Sequence, residues 1–210
     1  MKRSLIFFLI ILSQSVFAQS VPIDTIAKSK VVFDISGGLS SRIGKVEKTN
    51  NFILDNKIKA SRNGYFIEAS LLTQFAPNSN HYIGVKYNNF FDFINENKLS
   101  ISFYGLSYMY SKESKTKDNF NFDLSVGYIS YRDKEYFFDG YTVKGGNIGM
   151  RTSVSYLLRI TNGVYSGPKL GSIKDFTLEK NGSSSQTINL NNASESVSNF
   201  DFGLVLRVSI

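Results

Sequence analysis

Between Asn119 and Tyr128 the chain alternates without a fault. Phe120, Phe122, Leu124, Val126 and Tyr128 are apolar, and Asn119, Asn121, Asp123, Ser125 and Gly127 are not. A helix would send Phe120 and Phe122 to nearly opposite sides, whereas a strand puts every second side chain on one face. The same period returns in the closing segment, where Phe200, Phe202, Leu204, Leu206, Val208 and Ile210 alternate with Asn199, Asp201, Gly203, Arg207 and Ser209, Val205 being the one apolar intruder. It returns again over Asn147–Arg159, where Ile148, Met150, Val154, Tyr156 and Leu158 oppose Asn147, Gly149, Arg151, Ser153, Ser155 and Arg159, with Thr152 and Leu157 out of phase. Such segments build a sheet with one apolar and one polar face.

Five further segments read as strands: Val31 to about Ile43, Tyr65–Phe75, His81–Phe91, Ser100–Tyr110 and Val164–Ile173. In Ser100–Tyr110 the faces are ambiguous, because Ile101 and Phe103 compete with Tyr104, Leu106 and Tyr108. Pro168 interrupts the last of the five. The total is eight strands. Their connections alternate in length: 76–80, 111–118 and 160–163 are short or moderate, and 44–63, 92–99, 132–142 and 174–196 are mostly longer. Asn162-Gly163 suits a two-residue hairpin turn, since glycine accepts positive φ freely. Asn63-Gly64, Asp139-Gly140 and Asn181-Gly182 are expected at the tips of long loops, and the Ser/Asn-rich stretch Asn181–Ser198 is expected to be mobile.

The first residues read as an export signal. Lys2 and Arg3 precede the apolar run Leu5–Leu12, and Val16-Phe17-Ala18 offers a processing site, so residues 1–18 are expected to be a signal peptide. Residues 19–30 then form a periplasmic N-terminal segment and 31–210 the folded domain. Losing Lys2 and Arg3 lowers the formal charge from +7 to +5. The charges are interleaved rather than clustered, which argues against nucleic acid. The chain has no cysteine and one histidine, His81, so disulfides, thiol nucleophiles and cysteine-based metal sites are excluded. No cofactor is expected.

Past the signal segment no apolar run approaches the ~18 residues of a spanning helix. Strands of about ten residues with alternating faces are the other way to cross lipid, provided the sheet closes so that every backbone N–H and C=O is paired. Turns that are short at one end and long at the other fit such a barrel. So do aromatics near strand ends, here Tyr65, Phe75, Phe90, Phe91, Tyr128, Tyr131 and Tyr141, where interfacial girdles sit. The predicted fold is all-β: an eight-stranded antiparallel up-and-down transmembrane β-barrel. Val31 and Ile210 should share a rim, which brings Asp34 beside Arg207.

Over essentially all of residues 30–210 the chain resembles the small porin-like outer-membrane β-barrel proteins of Gram-negative bacteria. The best local mark is the ending. Asp201, Gly203, Leu206 and Val208 follow the order of the signal that such proteins present to the barrel-assembly machinery, although the usual terminal Phe is Ile210 here. The resemblance implies an outer-membrane location, with outer-membrane lipid and the assembly machinery as partners and an extracellular partner left unidentified. A soluble lipocalin-type carrier is the alternative to a membrane barrel. It would keep the apolar face inside, and the usual Trp, disulfides and terminal helix of such carriers are missing from the sequence.

The polar face, taken as an interior, carries Asp34, Glu68, Asp123 and Asp201 with Lys86, Arg151, Lys169 and Arg207. An eight-stranded lumen is only wide enough for side chains. Charges there must pair, so a structural plug is expected rather than a conducting path, with Glu68–Lys86 and Asp34–Arg207 as pairs. Tyr136, Phe137, Phe138 and Tyr141, beside Arg132–Glu135, form either an extension of the girdle or a loop contact. Enzymes of this barrel class use a rim histidine with Ser or Asp, but His81 follows a periplasmic turn and lacks such a partner in sequence. Gly37-Gly38 and Gly145-Gly146 precede no helix and are not phosphate loops. The reading is a non-enzymatic protein with a structural or surface-interaction role through its loops. The alternatives are a narrow channel for small solutes and a lipid-modifying enzyme.

Overall fold

A computed structural model of the chain describes residues 30–44, 56, 59, 61–93, 99–134, 142–175, 179–183 and 196–210. The expected signal peptide, Asp139-Gly140, most of Asn181–Ser198 and the group Tyr136, Phe137, Phe138 and Tyr141 lie outside the described residues.

Among the described residues nine strands form one sheet: β1 (Val31–Arg42), β2 (Asn63–Gln74), β3 (His81–Asp92), β4 (Leu99–Glu113), β5 (Asn119–Asp133), β6 (Thr142–Thr161), β7 (Val164–Asp175), the short β8 (Glu179–Ser183) and β9 (Asn199–Ser209). Each of the first six pairs antiparallel with the next, β7 pairs with β9, and β9 pairs with β1. That ring of eight is a closed barrel. β8 stands outside it, paired with the far end of β6 opposite Thr142–Gly146.

The seam between β1 and β9 is continuous from Val32↔Ser209 to Arg42↔Asn199. Val31 and Ile210 finish it, each N–H donating to the other's carbonyl at 2.9 Å. Closure of this kind leaves no strand edge in need of a partner. The register places Asp34 opposite Arg207, as the shared rim requires.

Short turns gather at the end that holds Val31 and Ile210. Asn162-Gly163 makes a two-residue turn with Gly163 at φ 76°, and Ser209 N–H donates to the Gly163 carbonyl at 2.7 Å. The β4–β5 turn is clipped by Asp118, which accepts from the Thr116 hydroxyl at 2.7 Å and the Tyr156 hydroxyl at 3.1 Å. The Thr116 hydroxyl bond holds the Asp118 carboxyl below the usual carboxylate range. Pro168 does not break β7. The β6 ladder passes over it, as befits a residue with no N–H, while the β9 ladder runs through it as Pro168↔Leu204.

Two expectations are corrected. Asn63-Gly64 opens β2 and Asn181-Gly182 lies in β8, so neither is a loop tip; both segments are held by cross-strand pairing. Phe90 and Tyr131 do not join a membrane-facing girdle. They point into the lumen and are buried in a cluster with Leu99, Ile101, Phe103, Ile129, Ile173 and Val197.

Candidate functional site: the charged lumen and its seals

The alternation seen in sequence sets the faces. Leu204 is 64 % exposed on the outside of β9, whereas Arg151 is 0 % exposed in the lumen. The outer surface carries Ile35, Leu71, Val85, Leu106, Val126, Phe202 and Leu206 in the open. Water would not leave such a surface uncovered, and lipid would. All eight charged residues assigned to the interior, Asp34, Glu68, Lys86, Asp123, Arg151, Lys169, Asp201 and Arg207, are buried.

Glu68 is the hub. Its Oε2 accepts from Arg151 Nε at 2.5 Å, and its Oε1 accepts from Lys169 Nζ. Lys86 Nζ stands 3.6 Å from the same carboxylate but donates more closely to Asp123. The Glu68–Lys86 pair is therefore present as the longer arm of a larger cluster. β2 and β6 are not neighbours in the ring, so Glu68 and Arg151 meet across the lumen. Arg151 Nη1 continues to Asp201 at 2.5 Å, and the Ser40 hydroxyl donates to the other oxygen of Asp201 at 2.5 Å. Ser107 and Ser125 donate to Asp123 at 2.6 and 3.0 Å.

Toward the Val31–Ile210 rim a second unit stands apart. Arg207 grips Asp34 through two bonds, Nε to Oδ1 at 2.7 Å and Nη2 to Oδ2 at 2.8 Å, and donates to Asn121 Oδ1 at 2.7 Å. Two-point geometry of this kind makes the strongest ion pairs. Four acids and four bases cancel, so the lumen interior carries no net formal charge from these residues.

Two apolar clusters flank the charges, and sequence reasoning missed both; at the short-turn rim Arg207 also lines a polar recess with Gln74, Ser111 and Asn119. The cluster around Phe90, Phe103, Ile129 and Tyr131 fills the lumen toward the long-loop end. Val32, Leu72, Tyr82 and Met109 form a smaller layer near the short-turn end. The signal for the larger seal was a row of lumen glycines. Gly105, Gly127 and Gly149 are directly opposite one another on β4, β5 and β6. A Cβ on Gly105 would lie 2.6 Å from the Phe103 ring, and one on Gly149 would lie 2.2 Å from Ile129 Cδ1. The glycines make the room into which those side chains fold. This also settles β4: Tyr104, Leu106 and Tyr108 face outward, while Ile101 and Phe103 are core.

The residues of the C-terminal pattern divide between the faces. Asp201 and Gly203 point into the lumen, and Leu206 and Val208 point outward. His81 sits on the outer surface at the short-turn rim, its Nδ1 2.5 Å from the Tyr108 hydroxyl and its ring beside Tyr110. Among the described residues no group of acidic or histidine side chains is arranged to hold a metal ion.

An apolar outside, a charged inside and a closed eight-stranded ring define a transmembrane β-barrel of the outer-membrane type. No protein-family model and no curated protein sequence matches the chain. Solved structures do. Neisserial surface protein A superposes with a TM-score of 0.57 at 11 % identity, over 86 % of this chain and 96 % of that one. The outer membrane protein OprG of Pseudomonas aeruginosa gives 0.45 at 10 % identity, covering 84 % and 95 %. The outer membrane protein AlkL gives 0.46 at 13 % identity, covering 92 % and 97 %. At these identities the first likeness shows a shared fold, and the other two are weaker likenesses in shape.

Proposed function

We propose that this chain is a non-enzymatic, non-conducting barrel of the bacterial outer membrane, working as a structural element and as a platform for contacts made at its loop-bearing end. The observation that carries this reading is the filled lumen: eight buried charges that cancel and are bonded to one another, with an apolar cluster above them. A water path would have to open ion pairs that cross the lumen, Glu68–Arg151 and Arg151–Asp201 among them. In this reading Val31 and Ile210 face the periplasm, and the barrel-assembly machinery reads Asp201, Gly203, Leu206 and Val208 before the seam closes. The connection between β5 and β6 carries Tyr136, Phe137, Phe138 and Tyr141 in its sequence, and an extracellular partner would be met through such connections.

The test is electrical. The purified full chain is inserted into a planar bilayer in potassium chloride and current is recorded at steady voltage. A silent bilayer, with insertion verified by a heat-dependent gel shift of the same preparation, is the expected result. Regular unitary steps would overturn the plug and favour a narrow channel.

A further inference from the structure

The outer surface of β3–β6 is ordered in three registered rows. The lowest joins Tyr87, Tyr104, Tyr128 and Ile148. The next joins Asn89, Ser102, Ser130 and Gly146, and the highest joins Phe91, Ser100, Arg132 and Lys144. The rows run from apolar and aromatic, through hydroxyl and amide, to cationic. The Tyr87 and Tyr104 rings lie 5.0 Å apart, and Asn89 Oδ1 accepts from the Ser100 and Ser102 hydroxyls at 3.0 and 3.1 Å.

Outward tyrosines of a membrane barrel mark the lipid interface. Arg132 lies two outward positions beyond Tyr128, about 10 Å along the bilayer normal for a tilted strand. That is the depth of lipid headgroups. Elsewhere on the barrel the outward positions Leu170, Ser172 and Lys174 of β7 follow the same order but end on a single lysine, and above Leu39 and Tyr65 stand only Ser41 and Asn63, so the facing pair of cations sets the β5–β6 surface apart.

Arg132 and Lys144 face each other directly across β5 and β6. Like charges so placed repel. Both are exposed, and neither makes an ion pair with a described residue. On its other side Lys144 has Asn181 opposite it in β8, and the acid of that strand, Glu179, stands opposite Gly146. Between the two cations opens a groove of ≈ 480 Å³ lined also by Tyr128, Ser130 and the Gly145-Gly146 backbone. Beyond Tyr128 a larger groove of ≈ 720 Å³ runs over Ala69, Leu71, Val85, Leu106 and Val126, walled almost wholly by apolar atoms. Gly146 is the hinge of this surface: a Cβ there would meet the Tyr128 hydroxyl at 1.8 Å, so only glycine lets that ring lie flat between the grooves.

We infer that this face docks a phosphate-bearing lipid of the outer leaflet. The phosphate sits between Arg132 and Lys144 with Ser130 donating to it, and an acyl chain lies in the apolar groove below. A shared anion removes the repulsion between the two cations and adds charge-assisted hydrogen bonds. The inference rests on the membrane orientation proposed above.

The full chain, folded in uncharged detergent micelles, is titrated calorimetrically with short-chain phosphatidic acid. Saturable binding is expected, weakened about tenfold or more in the Arg132→Gln/Lys144→Gln double variant, which removes both charged donors. Lys174→Gln removes an exposed outward lysine on β7 and should leave binding unchanged. Equal binding by the double variant overturns the site, and so does equal binding of short-chain phosphatidylcholine. Complete displacement of the lipid by excess inorganic phosphate overturns the assignment to lipid. Circular dichroism and the heat-dependent gel shift, run on every variant, separate a failed barrel from a failed site.

Discussion

Arg207 and Asp34 form the simplest part of the lumen network, because their bidentate pair joins neighbouring strands across the seam. Arg207→Met would leave the Asp34 carboxylate buried without its partner, at a cost of about 3–5 kcal/mol. Adding Asp34→Leu removes the stranded charge and should recover most of that loss. Urea unfolding of the barrel in micelles reads both effects; a single variant as stable as the parent would mean that the pair is hydrated. The faces of these residues were legible from period two alone, and this pair followed from the shared rim. The partners of Glu68 were not legible in full. Arg151 and Lys169 reach it from strands distant in sequence, and nothing in local spacing states which side chains meet across a lumen.

At the scale of the elements, strand identity was legible because lipid on one side and packed polar groups on the other impose opposite chemistry on alternate residues. β4 resisted for a physical reason: its upper half reverses the pattern, with Leu99, Ile101 and Phe103 inside and Ser100 and Ser102 outside, so the apolar phase changes face at Phe103-Tyr104. Phe90 and Tyr131 were misplaced for the same reason, since a lumen that changes from charged to apolar along its length breaks the rule that polar means inside. The glycine row explains how the seal fits. A Cβ on Gly127 would stand 2.0 Å from the Tyr104 carbonyl oxygen and 2.4 Å from Gly105 Cα, both backbone atoms that cannot yield cheaply. Gly127→Val should destabilise by at least the ~1–3 kcal/mol typical of overpacking, seen as a lower temperature of heat unfolding in micelles. Val126→Ile, one residue away on the outer face, should be neutral. Equal behaviour of the two variants would show that the β4–β6 wall is not tightly packed.

Across the whole molecule, one constraint organises everything described: lipid outside forbids unpaired backbone, so the sheet closes, and a ring of eight strands leaves a lumen that side chains must fill. The filling joins opposite walls through Glu68, Arg151 and Asp201, with an apolar cluster above them. The proposed phosphate-lipid site and any proposed extracellular contact therefore lie on the outer face and at the loop-bearing end rather than in the lumen. The long loops themselves show no pattern in sequence from which a partner could be read. Alternation fixes which residues face lipid, but loop recognition depends on side-chain placement that carries no periodic signal.

The orientation of the two faces supports all of this, and the absence of cysteine makes it directly measurable. Single cysteines placed one at a time from Phe120 to Tyr128 and carrying a nitroxide label would be read in lipid vesicles for collision with dissolved oxygen, which concentrates in lipid, and with a water-soluble nickel complex. High oxygen and low nickel access at Phe122, Leu124 and Val126, with low oxygen access at Asn121 and Ser125, is the expected result. The reverse phase, with the even positions shielded and the odd positions open to nickel, would mean that the apolar face is the interior and that the chain is a soluble carrier.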